Sequence, residues 1–135
     1  MRRLAPPAAP LGAAVTATVA AALLLAGCGT SLSPAEMKDS CTDLASVVRT
    51  AGLAGSPTQA QAKSAADALD SRLPKLRDPS LHDAAVALHT HLHGVDTALG
   101  KGDAAKAAEL AAKAREDVAK AASVCALPAS DFLGG

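Results

Sequence analysis

The chain of 135 residues contains no tryptophan and no tyrosine, and Phe132 is its one aromatic residue. Sugar platforms, base-stacking surfaces and aromatic cages for cations all need π faces, so those functions are set aside. Charge of either sign is also in short supply: 13 basic residues stand against 13 acidic ones. No nucleic-acid partner is expected, because binding a phosphate backbone needs a basic patch that releases counterions. Cysteine is sparse, with Cys28, Cys41 and Cys125 the only three. Runs of β-branched residues in strict alternation are missing as well, which argues against strands and for an all-α fold.

What is present begins with two arginines, Arg2 and Arg3, followed from Leu11 to Ala26 by a stretch of little but Ala, Val, Leu and Thr. At about 16 residues it falls short of the roughly 20 that a membrane span needs. The stretch ends in Leu25-Ala26-Gly27-Cys28, small residues before a cysteine rather than the A-x-A-like site of an ordinary signal peptide. This resembles the lipobox of bacterial lipoprotein precursors, and the alanine-rich composition is similar to that of small actinobacterial lipoproteins. The resemblance covers residues 1–28. It implies cleavage before Cys28, a diacylglycerol on its sulfur, and anchoring to the extracytoplasmic face of the cell membrane. Two or three acyl chains would hold such a protein stably, whereas one binds only marginally. With Cys28 assigned to lipid, Cys41 and Cys125 remain as an even pair in an exported domain, which reads as a disulfide.

Glycine and proline punctuate the rest into four helices. Ser33-Pro34-Ala35-Glu36 combines an N-cap serine, a first-turn proline and a glutamate at N3, a capping box. The helix it opens carries Met37, Cys41, Leu44 and Val48 on one face and stops at Gly52. Ser56-Pro57-Thr58-Gln59 reads as a second box, ahead of Ala62, Ala66, Leu69 and Leu73, with Pro74 ending the helix. Asp78-Pro79 opens a third helix with the seam Leu81, Ala85, Leu88, Leu92, Val95 and Leu99, broken by Gly100-Lys101-Gly102. Asp103 caps the fourth, whose seam is Ala107, Ala111, Ala114, Val118, Ala121 and Cys125. Short turns between such helices favour an antiparallel up-down-up-down four-helix bundle over residues 33–127. In that topology Cys41 and Cys125 lie at the same end and can join helix 1 to helix 4. A crosslink closing so long a loop contributes on the order of 4 kcal/mol in the chain-entropy treatment. Residues 28–32 form a short tether to the lipid, and residues 128–135 read as a loose tail, with Phe132 tucked against the bundle.

All four histidines, His82, His89, His91 and His93, fall on helix 3. At 100° per residue, His82, His89, His93 and Asp96 share a face and His91 points elsewhere. His89 and His93 stand at i, i+4, the spacing at which one helix presents two imidazoles to one metal, and Asp96 could add a carboxylate. Neutral imidazole suits Zn or Cu, so His89, His93 and Asp96 are the candidate metal ligands. A zincin-like reading fails, because Thr90 stands where that family has its catalytic glutamate. Glu116 and Asp117, among Lys113, Arg115 and Lys120, read as an exposed face laced with ion pairs. No nucleophile has a base at a spacing that pairs them, and no enzyme activity is expected. The sequence points to a lipid-anchored, non-catalytic interaction module that meets another envelope protein. The alternative is an extracytoplasmic metal-binding or metal-buffering protein using the helix 3 histidines.

Overall fold

A computed structural model describes residues 32–134, so Cys28 and the segment resembling a lipobox lie outside the described residues. Among the described residues the secondary structure is entirely helical. Four long helices, α1 (Pro34–Thr50), α2 (Gln59–Arg72), α3 (Pro79–Gly100) and α4 (Ala104–Val124), pack together, and a short fifth, α5 (Ala129–Leu133), follows them.

The helix starts follow from their caps. Ser33 Oγ accepts from the Glu36 N–H at 3.2 Å, and Glu36 Oε2 accepts from the Ser33 N–H at 2.8 Å, which completes the expected capping box. Asp78 and Asp103 cap α3 and α4 by accepting from the Leu81 and Lys106 N–H groups. The second box differs from the one expected. Thr58 is the cap and Gln61 its reciprocal partner, so α2 begins after Ser56-Pro57 rather than with it. The preceding segment has other bonds: Arg115 of α4 donates to the Leu53 and Gly55 carbonyls at 2.7 and 2.6 Å, holding it as a loop. Pro74 does not stop the chain's winding at once. It sits in a single 3-10 turn, Leu73–Lys75, that runs on from α2. Between α3 and α4, Gly102 takes a left-handed φ of +73°, which an L side chain adopts only at a cost.

The Ser33–Glu36 box carries a pH prediction. The Ser33 backbone N–H, and then its hydroxyl, hold the Glu36 carboxyl below its usual range. A carboxyl depressed in the folded state stabilises the fold above its unfolded pKa and loses that contribution as pH falls. Thermal melts between pH 6 and 3 are therefore expected to show a shallower acid-side decline for Glu36→Gln than for the wild type, through and below the ordinary glutamate range. Parallel curves for the two proteins would contradict this assignment.

The core is built from the expected seams. Leu44, Val48, Leu69, Leu81, Leu88, Leu92, Val95 and Val118 are fully buried, each worth about 1.5–3 kcal/mol of transfer free energy. Helix α4 contributes mainly alanines, namely Ala107, Ala111, Ala114, Ala121 and Ala122. They bury little area each but allow close approach to α3. Gly94 extends that approach from the other side, because a Cβ there would stand 2.8 Å from Leu110 Cδ1. Leu110 is only partly buried and its methyl can swing aside. Gly94→Ala is expected to stabilise the protein by up to about 1 kcal/mol through helix propensity, less whatever Leu110 loses in packing. Chemical denaturation of Gly94→Ala measures the net; a loss above about 1 kcal/mol would mean that Leu110 is locked in place.

Cys41 of α1 and Cys125 at the end of α4 form a disulfide with Cα atoms 6.0 Å apart, closing a sequence separation of 84 residues. The expected loose tail is corrected. Residues Ala129–Leu133 form α5, which packs on α1 and α4 with Phe132 wholly buried. The physical reason is the apolar area of the phenyl ring, together with a bond from Arg49 Nη2 to the Asp131 carbonyl at 2.7 Å. Two anchors thus fix a segment too short to hold helical structure alone.

Candidate functional site

Helix α3 gathers the titratable chemistry of the chain, because its flanks face α2 on one side and α4 on the other. On the α2 side, His89 Nε2 lies 3.0 Å from Asp70 Oδ1. That nitrogen is buried and makes no aligned hydrogen bond, so the contact is one of proximity rather than a directed bond. His93 stands edge-on to His89, with ring centroids 5.3 Å apart, as the i, i+4 spacing requires. Asp67 of α2 lies close enough for both imidazoles to act on it. Its carboxyl is held below the ordinary range chiefly by the bond from Lys63 Nζ at 2.7 Å, with the two histidines contributing less.

The third expected ligand belongs elsewhere. Asp96 Oδ1 accepts from Gln59 Nε2 at 3.0 Å, a bond that ties the end of α3 to the start of α2. His82 is set apart, with Nδ1 3.8 Å from the neighbouring Asp83 carboxylate. Among the described residues no group of three or more His, Cys, Asp or Glu side chains is arranged to hold a metal. The set His89, His93 and Asp96 is therefore not assembled as a three-ligand centre. Angular proximity on one helix left out the neighbouring helix, which supplies Gln59 to Asp96 and Asp70 to His89. Calorimetric titration with Zn²⁺ or Cu²⁺ is expected to give affinity weaker than micromolar, with no change in Asp96→Asn. Submicromolar binding abolished by His89→Ala with His93→Ala would overturn that.

On the α4 side stands a pair that the sequence reading missed. His91 Nδ1 is bonded to Asp117 Oδ2, and the Asp117 side chain is only 3 % exposed. Lys120 Nζ, 3.6 Å from Asp117 Oδ1, is the cation near it. Asp117 is thus no member of an exposed face; among the described residues it is the one buried charged side chain. The signal was in the spacing. Ala114, Asp117, Val118 and Ala121 follow i, i+3, i+4, i+7, which places Asp117 on the buried stripe of α4. His91 likewise falls between Leu88 and Val95 on the stripe of α3. A carboxylate and an imidazole on two facing seams are the expected partners once the helices are paired.

Open grooves flank these contacts. One of about 560 Å³ runs between α3 and α4, lined by His93, Gly94, Thr97, Lys101, Lys106 and Leu110. Another of about 420 Å³ lies between α1 and α5 beside Cys41. No family model matches the chain, and no curated protein or solved structure does either. No described helix is long and apolar enough to cross a membrane.

Proposed function

We propose that the chain is a lipoprotein, cleaved before Cys28, acylated on that cysteine and held at the extracytoplasmic face of a bacterial membrane. There it acts as a non-catalytic module that presents helical faces to another protein of the envelope. The observation that carries the reading is the Leu25-Ala26-Gly27-Cys28 motif behind Arg2, Arg3 and an apolar stretch. The Cys41–Cys125 disulfide supports it, since such bonds persist in oxidising, exported settings. The structural helix start at Pro34 also fits: residues 29–32 span at most about 15 Å, so the domain sits close to its anchor.

The finer topology proposed is antiparallel, up-down-up-down. Side-chain pairings that run in opposite directions support it. Along α2 and α3, Gln59 meets Asp96 while Asp70 meets His89. Along α3 and α4, His91 meets Asp117 while Gly94 lies against Leu110. Lys75 and Arg77, in the turn before α3, would then face the bilayer side, with Arg77 near enough to Glu36 for its charge to act there.

The test has two parts. Intact-mass measurement of the protein extracted from membranes should show cleavage before Cys28 and added acyl mass, and Cys28→Ser should lose both. In-cell crosslinking from probes on the outer faces of α2 and α3 should then recover one recurrent envelope protein. An unmodified Cys28 removes the anchoring claim; a lipoprotein that crosslinks to nothing specific removes the interaction claim.

A further inference from the structure

We propose that the Cys41–Cys125 disulfide is a redox-sensitive latch on the seam between α1 and α4, whose reduction frees the end of α4 and the turn that follows it. The first observation is how little else joins those two helices. Helix α3 packs broadly on α2 and α4, but α1 and α4 make few direct contacts and meet chiefly through the disulfide and through α5. The second is the backbone just beyond the bond. Ala126 has a φ of +53°, the only non-glycine among the described residues at positive φ. A Cβ-bearing residue is held there at a cost that surrounding structure must offset. The Leu127 N–H bonds the Ala122 carbonyl at 2.9 Å and the Ala126 N–H bonds the Ser123 carbonyl at 3.1 Å, so this turn is wound tightly onto the last turn of α4. The disulfide clamps that turn to α1.

The third observation is access. Cys41 is buried, whereas Cys125, at the end of α4, is only partly so and is followed by the exposed residues Ala126 and Leu127. A dithiol reductant can therefore approach the Cys125 side. Its thiolate attacks Cys125 Sγ, forming a mixed disulfide and expelling Cys41 as a thiolate that takes up a proton. The reductant's second thiol then displaces Cys125, which is protonated in turn. The protein disulfide gains two electrons and two protons, and the reductant leaves as its own disulfide. Ala126 is then free to leave the left-handed region, while Phe132 and the Arg49–Asp131 contact keep α5 near α1. The released segment is local, because α2, α3 and most of α4 pack independently of the bond.

Hydrogen–deuterium exchange of the full chain, disulfide formed, before and after dithiothreitol treatment tests the latch, with Cys41→Ser/Cys125→Ser as a second route to the open state. Protection over residues 122–128 is expected to fall at least tenfold more than that over residues 79–118 in both. Protection over 122–128 that falls no further than that over 79–118 would overturn the latch, since the seam would hold without it. An equal loss of protection through α2 and α3, or a double variant that does not fold, would overturn it too, by showing only a staple for the whole domain. Ala126→Gly relieves the turn in the oxidised form, so its equilibrium with dithiothreitol should shift about fivefold or more toward the disulfide. An unchanged equilibrium would refute the part assigned to Ala126.

Discussion

Phe132→Ala is expected to lower the free energy of unfolding by about 3–5 kcal/mol, the usual cost of truncating a fully buried phenylalanine. Urea denaturation followed by far-ultraviolet circular dichroism measures it. The site favours a value in that range, because Phe132 is wholly buried and is the largest such side chain among the described residues. Helix α5 has only five residues and no side-chain cap, so nothing local sustains it once the ring is gone. The loss should accordingly include undocking: α5 frays, Leu133 leaves the core, and the Arg49–Asp131 contact is abandoned. Leu133→Ala, at a partly buried position, should cost clearly less. Near-equal losses at the two positions, or a Phe132→Ala loss below about 1 kcal/mol, would show that the ring does not anchor the segment.

That segment marks one edge of what the sequence could tell. Helix caps and seams were legible because each is a local pattern: Ser33 with Glu36, Asp78 before Pro79, Leu81 to Val95 at helical spacing. The disulfide was legible from the count of cysteines and their places on two seams. Helix α5 was not, since five residues carry too little periodicity, and its structure comes from docking a single ring on α1 and α4. The candidate site was legible only in part. The i, i+4 geometry of His89 and His93 is fixed by one helix and is found as expected. The partner of each polar group is chosen by a second helix, and residue spacing along α3 says nothing about Gln59 or Asp70. Asp117 was misread for the opposite reason. Its charged neighbours suggested a solvated face, whereas its position relative to Ala114, Val118 and Ala121 placed it inward. Position on the stripe outweighed the charge of adjacent residues.

The burial of Asp117 leads to the other large expected effect. His91→Ala leaves a carboxylate 3 % exposed without its bonded partner. Removing one member of a buried pair costs about 3–5 kcal/mol, and partial exposure of His91 places the expected loss near the lower end. Lys120 offsets little of it, since at 3.6 Å and mostly exposed it remains largely solvated. Replacing both members by leucine should behave differently. Replacing both partners of a buried hydrogen bond by apolar groups can be nearly neutral or stabilising, so His91→Leu/Asp117→Leu is expected to be at least as stable as the wild type within about 1 kcal/mol. A double-mutant cycle in urea gives the coupling; two additive losses would mean that the residues do not act as a pair.

The cycle also bears on why such a pair is kept in an alanine-rich seam. Alanines offer α3 little shape to recognise, and moving α4 by one turn would still set alanine against leucine at most levels of the core. A single carboxylate that must find His91 excludes those shifted registers, because each would bury Asp117 unpaired. The leucine pair should therefore keep stability while losing uniqueness: broadened amide resonances along α3 and α4, with the melting midpoint unchanged or higher. Sharp, singly populated resonances in that variant would assign the register to the Gly94–Leu110 contact and to the short Lys101–Asp103 turn instead.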